Sequence, residues 1–288
     1  AQIFYDGLLP EIATPKEMGR VSGLGWAVGT IGGIVILLLI MPLQKLVEGP
    51  LVPRLSMIVT AIFFALFAVP LVLWLREKAR GQKLPPGENY AGLAVKRLRN
   101  TFRTARGFGE FIKFIIAFFV YNDGIMILMG FASIIGATLF GLATQDILIF
   151  FIVVQLTNVV GAYLFGWLVD RIGPKRSLII ALVLMIGVVA WLYLAHDRTI
   201  FFIIGAFAGI AMAGAQSVSR TMVALFAPPG KSAEFFGFFA TFGRVSSVVA
   251  PLIFGWFAAE AAIWYEGRGQ QVALAEQSGL RLAILSIA

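Results

Sequence analysis

Cysteine is absent from the 288-residue sequence, histidine occurs once, and charged residues make up only 13% of it. Without cysteine these residues form no disulfide and offer no thiolate to a metal or a substrate. A typical soluble domain is about one quarter charged and about half apolar. Here 59% of the residues are hydrophobic and the mean hydropathy is +0.90, so the composition is typical of a membrane protein.

Long apolar runs occupy most of the sequence. A helix needs about 20 mostly apolar residues to cross about 30 Å of hydrocarbon. The hydropathy predicts seven full spans, near residues 21–43, 55–75, 111–138, 147–169, 177–195, 199–219 and 234–259. The first stretch, IFYDGLLPEI, and the last, GLRLAILSIA, look like pieces of further spans, and the first residue is alanine rather than methionine. We therefore predict an all-α integral membrane bundle, truncated at both ends.

Lysine and arginine are spread unevenly over the loops between these spans. Counted on alternate sides, 17 of them fall on one side and five on the other, while Arg244 alone lies within a span. Basic loops stay in the cytoplasm, so we expect the loops at 76–113 and 170–176 to be cytoplasmic. The net charge of +8 then follows from membrane topology, and no nucleic-acid partner is expected.

The longest of these loops is interrupted near its start by Pro85, Pro86 and Gly87. Two interpretations of residues 91–106 remain open. One is a helix that lies on the lipid surface, with leucine and phenylalanine on one side and basic residues around the other. The other is a solvated linker.

Residues 15–33 and 229–247 resemble each other. They share one proline and two glycines at a constant offset of 214 residues, and each segment opens a predicted span on the basic side. The long basic loop lies between them. Two parallel six-helix halves joined by a cytoplasmic loop are one of the repeat schemes of secondary transporters.

The stretch 166-GWLVDRIGPKR-176 places charges and glycines between two predicted spans. Gly166 lets a neighbouring helix approach closely, and Gly173 permits a tight turn. Asp170 is expected to accept hydrogen bonds from the N-terminal amides of an adjacent helix. Such a contact exists only while the helices are together at this end, so the stretch is a candidate gate. The alternative is a basic loop that only fixes the topology.

This stretch resembles the loop motif of the major facilitator superfamily, with Pro174 departing from the pattern and these residues in register: Gly166, Leu168, Asp170, Arg171, Gly173 and Lys175. The segments FYDGLLPEIA, GRVSGLGWAVG, YNDG, GAQSVSR and EFFGFFATFGR narrow the resemblance to its vacuolar-effluxer-like (autophagy-related 22-like) branch. The resemblance implies a twelve-helix protein. Residues 1–75 then supply the end of the first half (helices 4 to 6), residues 76–110 a basic cytoplasmic linker, and residues 111–288 the second half (helices 7 to 12, the last incomplete).

The resemblance also implies a function. We expect a secondary active transporter, in the bacterial cytoplasmic membrane, that moves a small solute by alternating access. An amino acid or an organic acid is favoured, and proton coupling is a further expectation. The alternative is a non-transporting membrane subunit that binds another membrane protein. No enzyme, cofactor or metal site is expected, because no cluster of Cys, His and acidic residues and no nucleophile with a base is visible.

Asp123 and Arg244 lie near the centres of predicted spans. An ionisable side chain there costs at least about 2.5–3.5 kcal/mol and usually faces a cavity. Asp123 is the candidate carrier of a coupling proton, and Arg244 is the candidate partner of a substrate carboxylate. Alternatively, the two form a structural ion pair. The other candidates for the solute and proton pathway are Tyr121, Asn122, Gln155 and Gln216.

Two further features predict packing rather than binding. Gly25, Gly29 and Gly33 recur every four residues and predict a face on which two helices approach closely. Asn158 is expected to form a helix–helix contact.

Overall fold

A computed structural model describes residues 2–43, 47, 51–74 and 109–287. The predicted linker at 76–110 lies almost wholly outside the described residues, as do both interpretations of residues 91–106. We call residues 2–74 the N-terminal segment and residues 109–287 the C-terminal bundle.

The described residues fold into α-helices and short connections. The helices are α1 (Gln2–Gly7), α2 (Leu9–Ile12), α3 (Met18–Ile40), α4 (Leu51–Trp74), α5 (Gly109–Phe140), α6 (Thr144–Ile172), α7 (Pro174–Leu194), α8 (Arg198–Phe226), α9 (Ser232–Glu266) and α10 (Val272–Ile284), followed by a 3-10 turn at Leu285–Ile287. Seven of them, α3 to α9, are long and apolar enough to cross a membrane. The prediction of an all-α bundle with seven spans and two end fragments is confirmed.

Local sequence explains where several helices begin and end. Gly173 alone separates α6 from α7, with φ of +88°, a backbone conformation that residues with a side chain rarely adopt. Pro174 then occupies the first position of α7, where its missing N–H has no cost. At the start of α8, the carboxylate of Asp197 accepts hydrogen bonds from the N–H groups of Thr199 and Ile200, as an N-cap residue does.

The C-terminal bundle is held together by phenylalanine rings. Phe111 and Phe118 of α5 pack on rings of α9, with centroid distances of 4.4 Å and 4.2 Å. Phe150 of α6 and Phe201 of α8 stack at 4.5 Å. In contrast, no residue in the apolar window of α4 is buried among the described residues, which is typical of a helix that faces lipid or further protein.

Consecutive spans run in opposite directions. We call the end that carries residues 170–176 the motif end and the opposite end, with residues 141–143 and 195–197, the far end. At the far end an ion pair between Arg198 and Asp146 ties the start of α8 to the start of α6. Helices α3 and α9 both begin at the motif end, at Met18 and Ser232, which repeats the offset of 214 residues found in the sequence.

Candidate functional site

Asp170 lies in the last turn of α6, at the motif end. Its Oδ1 accepts a hydrogen bond from the backbone N–H of Gly19 at 3.1 Å, and its Oδ2 accepts one from Arg20 at 3.1 Å. Both amides belong to the first turn of α3, where N–H groups have no partner within the helix and the helix dipole favours an anion. The contact expected from the sequence motif is present, and it joins the N-terminal segment to the C-terminal bundle.

Two basic residues of the motif lie at the end of α6 and the start of α7. The guanidinium of Arg171 lies 4.9 Å from the ring of Trp167. Lys175 is exposed in the first turn of α7. The motif end of the C-terminal bundle therefore presents exposed basic side chains.

Next to Asp170 the backbones of α3 and α6 are in direct contact. A Cβ atom added to Gly23 would lie 2.4 Å from the carbonyl oxygen of Ala162, and one added to Gly166 would lie 2.9 Å from the carbonyl oxygen of Gly19. Both distances are too short for a side chain, so the close approach of the two helices requires glycine at these positions.

The predicted close-packing face of α3, formed by Gly25, Gly29 and Gly33, contacts no helix backbone among the described residues. A Cβ atom added to Gly29 would have nothing within 4 Å, and those added to the other two would meet only the ends of side chains, at 3.3 Å and 3.4 Å. Helix α3 instead turns the neighbouring face, with Gly19 and Gly23, toward α6. Both faces repeat every four residues, and only the position of the partner helix distinguishes them.

Farther along α3, polar side chains bind the C-terminal bundle. Trp26 Nε1 and Thr30 Oγ1 both donate to Asn158 Oδ1 on α6, at 2.9 Å and 3.2 Å. Ser22 Oγ donates to the backbone carbonyl of Ser217 on α8 at 2.9 Å. The prediction that Asn158 forms a helix–helix contact is confirmed.

A buried ion pair joins α1 to α8. Arg220 Nη2 lies 2.7 Å from Asp6 Oδ1, and each side chain is only 6% exposed. The guanidinium also lies 5.6 Å from the ring of Tyr5 and 5.9 Å from that of Trp26, within range of a cation–π interaction. Its Nε is buried and has no hydrogen-bond partner, which leaves one donor of the pair unsatisfied.

Sequence reasoning missed this pair. It ended the span at residue 219 and assigned Arg220 to a cytoplasmic loop, but α8 continues to Phe226. The arginine is therefore inside a helix and buried. Without Arg220, the loops on the cytoplasmic side still carry many more Lys and Arg residues than the loops on the other side.

A cavity of about 350 Å³ adjoins Arg220. Among the described residues that line it, Arg220 is the charged one. The walls come from α1, α2 and α3 and the residue between α1 and α2: Tyr5, Leu8, Leu9, Ile12, Val21, Leu24, Gly25 and Val28. The site thus combines one guanidinium with largely apolar walls, which suits a small ligand that carries a carboxylate.

Four of the predicted pathway residues meet where α5, α8 and α9 pack together. Gln216 Nε2 donates to Asn122 Oδ1 at 3.1 Å, and Asn122 Nδ2 donates to Ser246 Oγ at 3.1 Å. Ser246 Oγ in turn donates to Asp123 Oδ1. The hydroxyl oxygens of Tyr121 and Ser219 lie 2.6 Å apart. Ser246, which sequence reasoning did not single out, provides the link between Asn122 and the carboxylate.

The two remaining predicted residues lie elsewhere. Gln155 lines an apolar cavity between α5, α6, α7 and α8. Arg244 of α9 is exposed, and among the ion pairs of the described residues none joins it to Asp123. The structural ion pair between Asp123 and Arg244, which was the alternative interpretation, is therefore not formed in the structure.

Most of these contacts and most of the spanning helices lie within a segment that matches a known protein family. The model of the vacuole effluxer Atg22-like family matches residues 11–260. The chain belongs to this family. The match includes the motif stretch, Arg220 and the whole cluster around Asp123, whereas Asp6 lies just before it.

Curated relatives of this Atg22-like chain come from bacteria and fungi. The MFS-type transporter YxiO of Bacillus subtilis (strain 168) is 26% identical over 260 residues, which cover 88% of this chain and 60% of the relative. Autophagy-related protein 22-1 of Penicillium rubens is 24% identical over 258 residues, which cover 82% of this chain and 44% of the relative. The chain therefore spans about half the length of these relatives.

Proposed function

We propose that this Atg22-like protein is part of a secondary active transporter that moves a small solute by alternating access between two halves. The observation that carries the proposal is the contact of Asp170 with the amides of Gly19 and Arg20. It is made of hydrogen bonds to a helix N-terminus and lies at the rim of the α3–α6 contact. A contact of this kind can break and form again without unfolding either partner.

The polar residues inside the bundle support a solute and proton pathway. Asp123, Asn122, Tyr121 and Gln216 lie together where three helices meet, and Gln155 borders a separate cavity. Polar side chains at membrane depth are costly and generally face a cavity or one another. We propose that Asp123 binds and releases the coupling proton during transport.

The proposed solute carries a carboxylate, as amino acids and organic acids do. Two arginines are candidates for binding it. Arg244 is exposed on α9, whereas Arg220 lies beside a cavity and has a buried Nε without a partner. A carboxylate in this cavity would lie beside the guanidinium group, so we favour Arg220.

The basic loops support a position in a bacterial cytoplasmic membrane, with the motif end in the cytoplasm. A bacterial relative that is described as an MFS-type transporter supports a role in membrane transport.

The test is transport by the full-length protein in proteoliposomes with an imposed pH gradient, measured for labelled amino acids and organic acids. Arg220→Lys is expected to reduce uptake at low solute concentration at least about tenfold, because an ammonium does not reproduce the guanidinium fork. Arg244→Lys is the matched control and is expected to leave uptake near the wild-type value. A loss confined to Arg244→Lys would instead assign the carboxylate to that residue, and a folded wild type that moves none of these solutes would contradict the proposed function.

A further inference from the structure

The hydrogen bonds around Asp123 form a chain in which every donor points the same way. It runs from Gln216 to Asn122, from Asn122 to Ser246, and from Ser246 to Asp123. The two middle members are buried, with Asn122 1% and Ser246 0% exposed. The two end members are partly exposed. The chain therefore connects two accessible ends through an interior that is closed to water.

The charge of Asp123 determines this direction. An ionised carboxylate only accepts hydrogen bonds, so the hydroxyl of Ser246 has to donate to it. The oxygen of Ser246 is then left to accept from the NH₂ group of Asn122. That orientation turns the carbonyl of Asn122 toward Gln216, which has to present its own NH₂ group. A single charge at one end thus sets the orientation of two amides.

Protonation of Asp123 removes this requirement. The carboxyl O–H becomes a donor, and Ser246 can accept from it and donate to the carbonyl of Asn122. The amide of Asn122 then turns over, and its NH₂ group faces the carbonyl of Gln216. The proton itself stays on Asp123, and only the orientation of the hydrogen bonds changes along the chain.

Asp123 also borders a cavity of about 310 Å³ from which a proton can reach it. Helix α7 contributes only apolar side chains to this cavity, α9 contributes Ile253, and the 3-10 turn contributes Ser286 and Ile287. Tyr121 is the one other titratable group among the described residues that line it. Tyr121 lies 2.6 Å from Ser219, outside the chain. No charged neighbour among these lining residues competes with Ser246 for the carboxylate.

We propose that Ser246 and Asn122 are positioning residues that transmit the protonation state of Asp123 to the amide of Gln216. The inference rests on the proposed function in one respect, since it explains how an Asp123 that takes up a proton during transport affects the rest of the bundle. Gln216 is well placed to pass the signal on, because it lies on α8 four residues before Arg220. Residues at this spacing lie on the same helix face.

The test is the infrared difference spectrum of the full-length protein between acidic and neutral pH. The carboxylic C=O band that is lost in Asp123→Asn reports protonation of Asp123. In the wild type we expect this band to appear together with a shift of the side-chain amide bands, and part of that shift is lost in Gln216→Leu. In Ser246→Ala the carboxylic band is expected to remain while the amide shift disappears. Ser246→Thr keeps the hydroxyl group and is expected to show the amide shift of the wild type.

Ser247→Ala is the matched control, because the hydroxyl of Ser247 donates to the backbone carbonyl of its own helix at Arg244. It is expected to behave as the wild type. An amide shift that persists in Ser246→Ala, or a wild type in which Asp123 protonates without any amide shift, would overturn the inference. Neither readout requires transport, so a protein that moves no solute would contradict the proposed function and leave this result to be judged separately.

Discussion

Asp6 and Asp123 both lie among packed helices, and each has a different kind of partner. Asp6 faces the guanidinium of Arg220, so its charge is balanced by an opposite charge. Asp123 faces the hydroxyl of Ser246 and, through it, two neutral amides. The first arrangement holds only while both residues stay ionised, whereas the second can be satisfied in either protonation state of the acid. The difference separates a contact that fixes α1 against α8 from one that can respond to a proton.

The contacts also differ in where they lie. The Asp6–Arg220 pair, the Asp170 contact and the glycine crossing of α3 with α6 all join the N-terminal segment to the C-terminal bundle. The chain that ends at Asp123 lies wholly within the C-terminal bundle. Movement of one half against the other therefore breaks the first group and can leave the second intact.

The largest expected effect comes from replacing each acid by its amide. Asp6→Asn leaves Arg220 buried without a counter-charge, and we expect it to lower the free energy of unfolding by about 3–5 kcal/mol. Asp123→Asn is the matched control, since its amide still bonds to Ser246, and about 0.5–1.5 kcal/mol is expected. The measurement is equilibrium unfolding of the full-length protein from mixed micelles. An equal loss of unfolding free energy in Asp6→Asn and Asp123→Asn would contradict the distinction between an ion-paired and a hydrogen-bonded aspartate.

A smaller effect is expected at the glycine crossing. Gly23→Ala would place a methyl group 2.4 Å from the carbonyl oxygen of Ala162, and we expect a loss of about 1–3 kcal/mol from overpacking. Gly29→Ala lies two turns away on the same helix and meets nothing within 4 Å. That control is expected to be neutral or slightly stabilising, because alanine favours a helix more than glycine does. The same unfolding experiment measures both, and a loss in Gly29→Ala as large as that in Gly23→Ala would argue against the crossing.

The smallest effect is expected at the motif end. Asp170→Asn removes an anion from the N-terminus of α3, which is worth about 0.3–2 kcal/mol, and shifts the population toward separation of α3 from α6. Ser22 is 1% exposed between α3 and α8. Because the described chain contains no cysteine, maleimide labelling of Ser22→Cys reports that separation. Faster labelling in the Asp170→Asn background is expected, whereas an unchanged rate would remove the gating role.

Hydropathy predicts the spans because length and apolar character are local properties of the sequence. The Asp170 contact was also predictable, since the motif places an acid at the basic end of one helix and α3 begins at the same end. The candidates Tyr121, Asn122, Asp123 and Gln216 could be named because polar side chains are costly in a membrane helix. Their connection through Ser246 could not, because a serine in a helix does not reveal which neighbour it faces.

Arg220 shows the limit of local reasoning. An arginine at the end of an apolar run is expected in a loop, but here it lies within a longer helix and pairs with Asp6, near the start of the chain. The same limit applies to α3, where two glycine faces satisfy the same spacing and the partner helix selects one of them. Both features depend on contacts between residues that are distant in sequence.

The Asp6–Arg220 pair has an electrical consequence. Its two charges are opposite and 2.7 Å apart, so while the pair is intact it has no net charge in the field of the membrane during the proposed transport cycle. Moving a single charge across the membrane is worth about 2.3 kcal/mol per 100 mV. Asp123 has no such compensation, and it carries one charge when ionised and none when protonated. Of the two acids, only Asp123 is therefore expected to make the cycle sensitive to voltage.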